Sequence, residues 1–366
     1  MTLCAACGRS DPPPDSAAPG TSAPPPATDA TPTPEATPTP EATPLPPGVH
    51  VFRRDTVTLA SSGDGRFLAG GDLGGKALLW STERAVFMWG DETPVGNRIR
   101  PVVFPDRGAR WVAGAFDEPD ATWRLYDAGA VALVTRWGAS KMAVDAAFDA
   151  DARRVVTAAL DPDVVMVVAL PAPDSPLAPE PPAAPTPPAV VWQAPARARA
   201  VAIDAPGERV AWTTGPDVKA VALPDGKALF EATEAVATAD LTFDGEALLG
   251  AQAATIVRWS LTGEARTSVA LADDRRPIRE LRRLPRGLVA VTRPEAEGLV
   301  VWDAATGQAL AEITFGCPCE VHALAADGCL AACGCASAAE VRWRRLSGPA
   351  FPGCAAAPPP GPGGGR

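Results

Sequence analysis

Six of the eight cysteines lie close together near the end of the chain. They form two Cys-x-Cys pairs and two single residues, namely Cys317, Cys319, Cys333, Cys335, Cys329 and Cys354. Facing pairs of this kind can form disulfides or supply the four sulfur ligands of a zinc or iron–sulfur site. In a protein exported to an oxidising compartment, six cysteines favour three disulfides. A metal site and free thiols stay open as alternatives, and spacing alone does not fix the pairing.

Other signs of catalytic or cofactor chemistry are weak. His50 and His322 lack metal-ligand spacing and read as ordinary strand residues. No Gly-rich phosphate loop, nucleophile elbow or zinc-binding His-Glu helix is present. We therefore expect no cofactor, no metal and no catalytic residue. Carboxylates that an enzyme could assemble from several loops are nevertheless plentiful, including Asp117, Glu118, Asp120, Asp161 and Asp163.

One basic cluster stands out in this acidic chain. It consists of Arg275, Arg276, Arg279, Arg282, Arg283 and Arg286. The cluster could bind an anionic partner. The simpler alternative is a solvated strand edge on which the arginine stems cover neighbouring apolar surface.

The composition excludes several classes of protein. The 366 residues are 46% hydrophobic and 21% charged, which is enough apolar mass for a large core. A formal net charge of −10 argues against nucleic acid as a partner, because binding phosphates requires a basic face. No apolar run approaches the ~20 residues that a membrane-spanning helix needs. We expect a monomer that contacts a membrane only through an N-terminal anchor.

The first residues suggest what that anchor is. Ala5-Ala6-Cys7 resembles the end of a bacterial lipoprotein signal, in which small residues precede a lipid-modified cysteine, so Cys7 is the lipidation candidate. Cys4 departs from that pattern, and the basic start and apolar stretch of a signal peptide are missing. We expect the natural protein to begin upstream and to lie in the bacterial cell envelope, in the periplasm or on the outer surface. The alternative is a cytoplasmic protein with two chance cysteines near Met1.

Composition also predicts the organisation of the chain. Residues 1–48 read as a remnant of a signal followed by a disordered Pro/Ala/Thr tether, since proline-rich segments of this kind are extended and form no core. Residues 49–353 read as the folded region, with a Pro-rich loop insertion at 171–188, and residues 354–366 as a disordered Pro/Gly tail. A loop insertion of this length is tolerated because closing a longer loop adds little entropy. It could also serve as an arm for docking a partner.

The folded region repeats one pattern seven times. Each repeat has a short apolar strand, a tight turn, a second apolar strand, and a third strand that usually closes on an aromatic residue. The second residues of the turns are 65, 108, 151, 207, 245, 287 and 328, spaced by 43, 43, 56, 38, 42 and 41 residues. A period of this size is typical of propeller blades. The sequence therefore predicts an all-β fold, a seven-bladed β-propeller of four-stranded antiparallel blades, preceded by the Pro-rich tail.

The strand endings carry a family resemblance. Leu299 to Asp303 followed by Thr306-Gly307 resembles the end of a WD-repeat blade, and the segments ending at Trp80 and Tyr126 are similar. The resemblance covers residues 49–353 and implies a WD40-like propeller used as a scaffold. Only the sixth repeat has the Trp-Asp dipeptide, and the Gly-His pair of such repeats is absent. No catalytic residue transfers from the family.

The predicted blade topology indicates on which face of the propeller each cysteine lies. Loops between strands one and two and between strands three and four share one face of a propeller, here called the turn face. The remaining connections share the opposite face, here called the connection face. Both Cys-x-Cys pairs should lie in loops on the connection face, the first pair between blades 6 and 7 and the second pair after the second strand of blade 7. Cys329 and Cys354 should lie on the turn face. We predict a Cys329–Cys354 disulfide and two bonds between the Cys-x-Cys pairs, all reinforcing the last blade. Residues 49–52 are expected to supply its outer strand.

These observations predict a non-catalytic scaffold that binds a protein or polymer ligand on a disc face or at the central channel. The alternative is a propeller hydrolase or lyase that acts on a polysaccharide through loop carboxylates. A channel pocket with paired carboxylates of raised pKa would favour the enzyme.

Overall fold

The computed structural model describes residues 45–92, 98–116, 122–138, 142–172, 189–262, 266–272, 276–293, 298–335, 338–351 and 353–354. The chain divides into two units, Met1–Ala42 and Thr43–Arg366, and every described residue belongs to the second. The predicted tether and Cys7 lie outside the described residues. Within those residues, no helix has the length and apolar character that crossing a membrane requires.

The described residues confirm the all-β prediction, with 28 strands in seven blades of four antiparallel strands. The first three blades run from the innermost strand outward. Blade 1 consists of β2 (Thr58–Ser61), β3 (Phe67–Gly71), β4 (Lys76–Ser81) and β5 (Val86–Glu92). Blade 2 consists of β6 (Arg98–Val103), β7 (Arg110–Phe116), β8 (Thr122–Asp127) and β9 (Ala132–Gly138). Blade 3 consists of β10 (Met142–Phe148), β11 (Arg154–Leu160), β12 (Val164–Ala169) and β13 (Ala189–Pro195).

The remaining blades repeat this order. Blade 4 consists of β14 (Ala200–Ile203), β15 (Arg209–Thr214), β16 (Asp217–Ala222) and β17 (Ala228–Thr233). Blade 5 consists of β18 (Asp240–Asp244), β19 (Ala247–Gln252), β20 (Thr255–Ser260) and β21 (Arg266–Ala270). Blade 6 consists of β22 (Ile278–Leu284), β23 (Gly287–Thr292), β24 (Leu299–Asp303) and β25 (Ala309–Ile313). Blade 7 consists of β26 (Val321–Leu324), β27 (Leu330–Cys335), β28 (Glu340–Arg345) and β1 (His50–Arg53).

The first strand of the chain closes the ring. Strand β1 pairs with β28 as the outer strand of blade 7, with His50 opposite Trp343 and Arg53 opposite Glu340. The seam to blade 1 also has direct contacts, since the Asp327 amide donates to the Gly63 carbonyl at 2.8 Å. The last blade is therefore built from both ends of the folded region.

The core consists of seven apolar clusters, one between each pair of neighbouring blades. Successive side chains of a strand point to opposite faces of its sheet, so each blade supplies two clusters. In β4, for example, Leu78 and Trp80 pack towards blade 7, whereas Ala77 and Leu79 pack towards blade 2. This double burial explains why the inner strands read as continuous apolar runs.

The tight turns have the backbone that their sequences predict. Gly207, for example, has a φ of +73°, and its amide donates to the Asp204 carbonyl at 2.9 Å. A positive φ favours glycine, which lacks a Cβ. The Asp204 carboxylate closes the same turn by accepting from the amides of Glu208 and Arg209 at 2.7 and 2.9 Å.

Candidate functional site

The seven innermost strands surround a central channel with a cavity of about 470 Å³. Its lining includes Thr58 of blade 1 and His322 of blade 7. It also includes three carboxylates, each of which directly precedes a residue packed in the core. These carboxylates are Asp145, Asp240 and Glu280. Most side chains on these strands are apolar, so charged groups in the channel need an explanation.

Asp145 and Asp240 make the same contact in two different blades. In each case one carboxylate oxygen accepts from the next residue's amide, Ala146 or Leu241, at 2.9 Å. The other oxygen accepts from the innermost strand of the following blade. Asp145 accepts from the Val201 amide at 2.9 Å, and Asp240 from the Leu281 amide at 2.6 Å. Each aspartate thus joins two blades at the channel wall.

Burial makes both aspartates weak acids. Removal from water disfavours the charged form and raises the pKa of Asp145 to about 7, against the lowering effect of its two amide donors. The pKa of Asp240 rises to about 8 for the same reason, and the nearby charges of Asp145 and Glu280 raise it further. Asp240 is therefore mostly protonated at neutral pH.

Glu280 behaves in the opposite way, and the reason is its two neighbours, Arg282 and His322. Its carboxylate lies 3.1 Å from His322 Nε2 of blade 7 and 3.3 Å from the Arg282 guanidinium. Burial raises the pKa of Glu280, but the close contacts with His322 and Arg282 outweigh that effect and lower the pKa overall. Arg282 also approaches Asp106 of blade 2, at 3.7 Å. A neutral acid and an ionised carboxylate therefore lie in neighbouring blades of one channel.

The arginines of the predicted anionic-partner patch divide between several environments. Arg279, Arg282 and Arg283 line the channel, and burial together with the charge of Arg279 lowers the pKa of Arg293. Arg283 pairs with Asp244 of blade 5, and Arg286 donates to the Ala350 carbonyl at 2.6 Å. Arg276 lies just before β22, and Arg275 lies outside the described residues. An anion-binding role for these arginines stays a prediction.

The six clustered cysteines form three disulfides. Cys329 is bonded to Cys354, Cys317 to Cys335 and Cys319 to Cys333. This agrees with the predicted Cys329–Cys354 bond and with two bonds between the Cys-x-Cys pairs. The sulfur atoms of Cys317, Cys333 and Cys335 lie within 4.8 Å of one another. The metal alternative would require the reduced form of these residues, because only thiolates act as ligands.

One detail of the cysteine prediction is wrong. Cys333 and Cys335 were expected in the loop after the second strand of blade 7, but β27 continues through Cys335. The reason is Gly334, which sits inside the strand where a Cβ would lie 2.5 Å from the Val321 side chain and 2.9 Å from Thr56 Oγ1. A glycine that permits close packing resembles a turn glycine in the sequence.

The two histidines and the strand-end tryptophans are structural in different ways. His50 stacks on Trp343 with ring centroids 4.3 Å apart, and burial together with the charge of Arg345 lowers the pKa of His50. His322 is the partner of Glu280, a role that sequence spacing does not reveal. The strand-end indoles pack between blades and are at most 5% exposed; they are Trp80, Trp259, Trp302 and Trp343.

The channel carboxylates are the residues that sequence analysis missed. Their signal is an acidic residue directly before a buried apolar residue in a first strand, as in Asp145-Ala146, Asp240-Leu241 and Glu280-Leu281. The pattern is visible in three of the seven repeats. Without the fold, however, it is indistinguishable from a solvated strand end.

Comparison with known proteins supports the architecture. No protein-family model and no curated protein matches the chain. Among solved structures, it is similar to the β-propeller domain of Cps50 (Swd1) from Myceliophteria thermophila, with a TM-score of 0.63 and 12% identity over 82% of this chain and 100% of that one. At this identity the likeness shows the fold alone. The chain is a seven-bladed β-propeller.

Proposed function

We propose that this propeller is a non-catalytic scaffold that presents a disc face to a protein or polymer ligand, and that it is lipid-anchored through Cys7 in the bacterial cell envelope. The WD40-like fold supports the scaffold role, since such folds offer two broad loop faces on a rigid ring. Three disulfides suit an oxidising compartment outside the cytoplasm.

The observation that carries the non-catalytic assignment is the bonding of Asp145 and Asp240. All four of their carboxylate oxygens accept backbone amides, two of them from a neighbouring blade. A catalytic acid must direct its proton at a substrate. These aspartates instead hold the blades together at the channel wall, which leaves the loop faces as the surfaces for recognition.

Site-specific photocrosslinking in the native host tests the scaffold role. A photoreactive amino acid is placed on the connection face at Leu73 or Val236, and on the turn face at Arg107 or Arg286, all of them exposed. A scaffold should give one discrete adduct from one face, with the opposite face as matched control. Absence of a discrete adduct from both faces would contradict the proposal.

The anchor is tested separately with Cys7→Ser, expressed in the native host from its own gene. The wild type should fractionate with membranes and carry a diacylglycerol mass on Cys7. The variant should be released by washing, whereas Cys4→Ser should remain bound. Equal release of wild type and variant would contradict anchoring through Cys7 without affecting the scaffold role.

A second function is favoured by the pKa shifts of the channel carboxylates. Asp145 and Asp240 are paired acids of raised pKa, the feature that would favour an enzyme, whereas the pKa of Glu280 is lowered. Groups whose environments push their pKa values apart are typical of acid–base pairs. In this alternative, Asp240 is the acid and Glu280 the base of a polysaccharide hydrolase or lyase.

Reducing-end release from soluble cellulose, chitosan and polygalacturonate tests the enzyme. Asp240→Asn and Glu280→Gln should each lower any activity by about 10²-fold or more. No reducing-end release by the wild type, or equal activity in both variants, would reject it.

A further inference from the structure

Arginine occupies one equivalent position at the start of three innermost strands. Arg100, Arg199 and Arg279 each lie two residues before a residue that is buried in the core. Those buried residues are Val102, Val201 and Leu281. The three arginines belong to blades 2, 4 and 6, so they alternate around the ring. The other four blades have an apolar residue at this position, namely Val57, Val144, Ala239 and Val321.

All three arginines line the central channel at the end that opens on the connection face. The chain enters every innermost strand from that face, and Arg199 directly precedes β14. Arg100 and Arg279 lie at β-bulges, since the pairing of β6 with β7 and of β22 with β23 shifts register at these residues. A bulge redirects the side chain of its extra residue. The three, here called the mouth arginines, thus surround one mouth of the channel.

The mouth arginines have no internal partner. All three are exposed, and their side chains make no hydrogen bond or ion pair within the described part of the chain. The carboxylates in the channel lining are engaged elsewhere. Asp145 and Asp240 accept backbone amides, and Glu280 contacts Arg282, which also approaches Asp106. Each mouth guanidinium therefore keeps its N–H donors available for a ligand.

The positive charge at this mouth is uncompensated, although the chain has a formal net charge of −10. Arg293, at the end of the neighbouring strand β23, responds to that charge. Burial lowers the pKa of Arg293 and the charge of Arg279 lowers it further, against the opposing effect of Glu320. An anion bound among the mouth arginines would relieve this repulsion between like charges.

The arrangement of the guanidinium groups selects the class of anion. A guanidinium binds carboxylate or phosphate oxygens through a planar fork. A carboxylate has two oxygens in one plane, whereas the oxygens of a phosphate point in tetrahedral directions, so arginines from three blades can each bind a different oxygen. An extended polyanion would be repelled by the acidic remainder of the chain. The mouth is therefore suited to a single phosphate group.

We propose that the connection-face mouth of the central channel binds one phosphate group through Arg100, Arg199 and Arg279, either as inorganic phosphate or as the terminal phosphate of a small monoester. The site is assembled from three blades and differs from the linear arginine cluster of the sequence, in which Arg283 and Arg286 have other partners. The inference goes beyond the proposed function, because a phosphate site does not depend on which macromolecule a disc face recognises.

Titration calorimetry of the purified full chain in a chloride buffer of low ionic strength tests the site. The probes are inorganic phosphate, glycerol 3-phosphate as a monoester, and malonate as a planar dicarboxylate. We expect saturable binding of inorganic phosphate, with malonate bound at least about tenfold more weakly. Binding of glycerol 3-phosphate as well would identify a monoester site, and its exclusion a site for free phosphate; both outcomes support the inference. No phosphate binding, or equal affinity for malonate, would overturn it.

Three variants test the residues. Arg100→Gln, Arg199→Gln and Arg279→Gln should each weaken phosphate binding about tenfold or more, since each removes a charge-assisted hydrogen bond. The side chains are exposed, so the melting temperature should not change. The matched control is Arg84→Gln, which makes the same charge change at an exposed position in the β4–β5 turn and should bind as the wild type does.

Unchanged phosphate binding in all three mouth variants would also overturn the inference. Calorimetry on the purified chain decides the phosphate site, whereas crosslinking in the native host decides the scaffold role. Either proposal can therefore fail without the other.

Discussion

Asp240 shows how one residue links folding to pH. Its buried carboxyl is protonated in the folded protein until the pH approaches about 8, whereas an unfolded aspartate ionises near pH 4. The unfolded state therefore binds fewer protons than the folded state between these values. By linkage, this residue's contribution to stability falls as the pH rises from about 4 to 8 and is constant above that range.

Asp240→Asn isolates that contribution. Asparagine cannot ionise, but its amide oxygen can accept only one of the two backbone amides, so the variant should be less stable than the wild type at pH 4. Between pH 4 and pH 8, the free energy of unfolding of the variant relative to the wild type should rise by at least about 1.4 kcal/mol, the equivalent of one pKa unit. Urea unfolding at each pH measures it. Asp225→Asn, on an exposed turn, is the control and should give a pH-independent difference. A constant difference for Asp240→Asn would refute the argument.

Cys329 and Cys354 make a second prediction at this scale. Their disulfide joins residues 25 positions apart and ties the final turn to blade 7. Restricting the unfolded chain over a loop of this length contributes about 3 kcal/mol. Cys329→Ser should lower the free energy of unfolding by about that amount under oxidising conditions. In reductant, the variant and the wild type should have the same free energy of unfolding. A difference that persists in reductant would show that the loss of the disulfide is not the cause.

Among the elements, β1 has the largest influence on the ring. It covers the outer edge of blade 7, and its Phe52 is only 7% exposed, with ring centroids 5.7 Å from Trp80 of blade 1 and 5.9 Å from Trp343 of blade 7. A single strand thus contributes an aromatic contact to both sides of the seam.

Phe52→Ala tests the role of that strand. Truncating a buried phenylalanine costs about 3–4 kcal/mol, through lost transfer energy and the cavity left behind. The control, Leu73→Ala, removes a side chain that is 50% exposed and should change stability by no more than about 0.5 kcal/mol. Chemical denaturation measures both. If Phe52→Ala lowers the free energy of unfolding as little as Leu73→Ala does, then β1 does not stabilise the contact between blades 7 and 1.

The elements were largely predictable from the sequence, because turn glycines and double-sided burial leave strong local patterns. Residues such as Trp80, Tyr126 and Trp259 mark the ends of third strands, and each lies one residue before the end observed. The channel contacts were not predictable, since Asp145 and Val201 are 56 residues apart and are brought together by the packing of blade 3 against blade 4. Spacing cannot show which polar strand residue faces a channel. Nor could it choose between the two pairings of the Cys-x-Cys pairs, which depend on side-chain direction.

At the scale of the whole molecule, the closed ring predicts a monomer. Closure by β1 leaves no blade without its fourth strand, so the propeller has no need of a second copy to complete it. Light scattering on the chain without lipid should give a mass near 37.6 kDa at all concentrations. A mass that doubles with concentration would contradict this prediction, and salt dependence of that change would indicate a charged interface.

The position of β1 has a mechanical consequence. Because the N-terminal segment runs directly into this strand, any tension along it is transmitted first to the β1–β28 hydrogen bonds. The strand that closes the ring is therefore also the strand that resists a pull on the N-terminal segment, and a force strong enough to detach β1 would open the ring at blade 7.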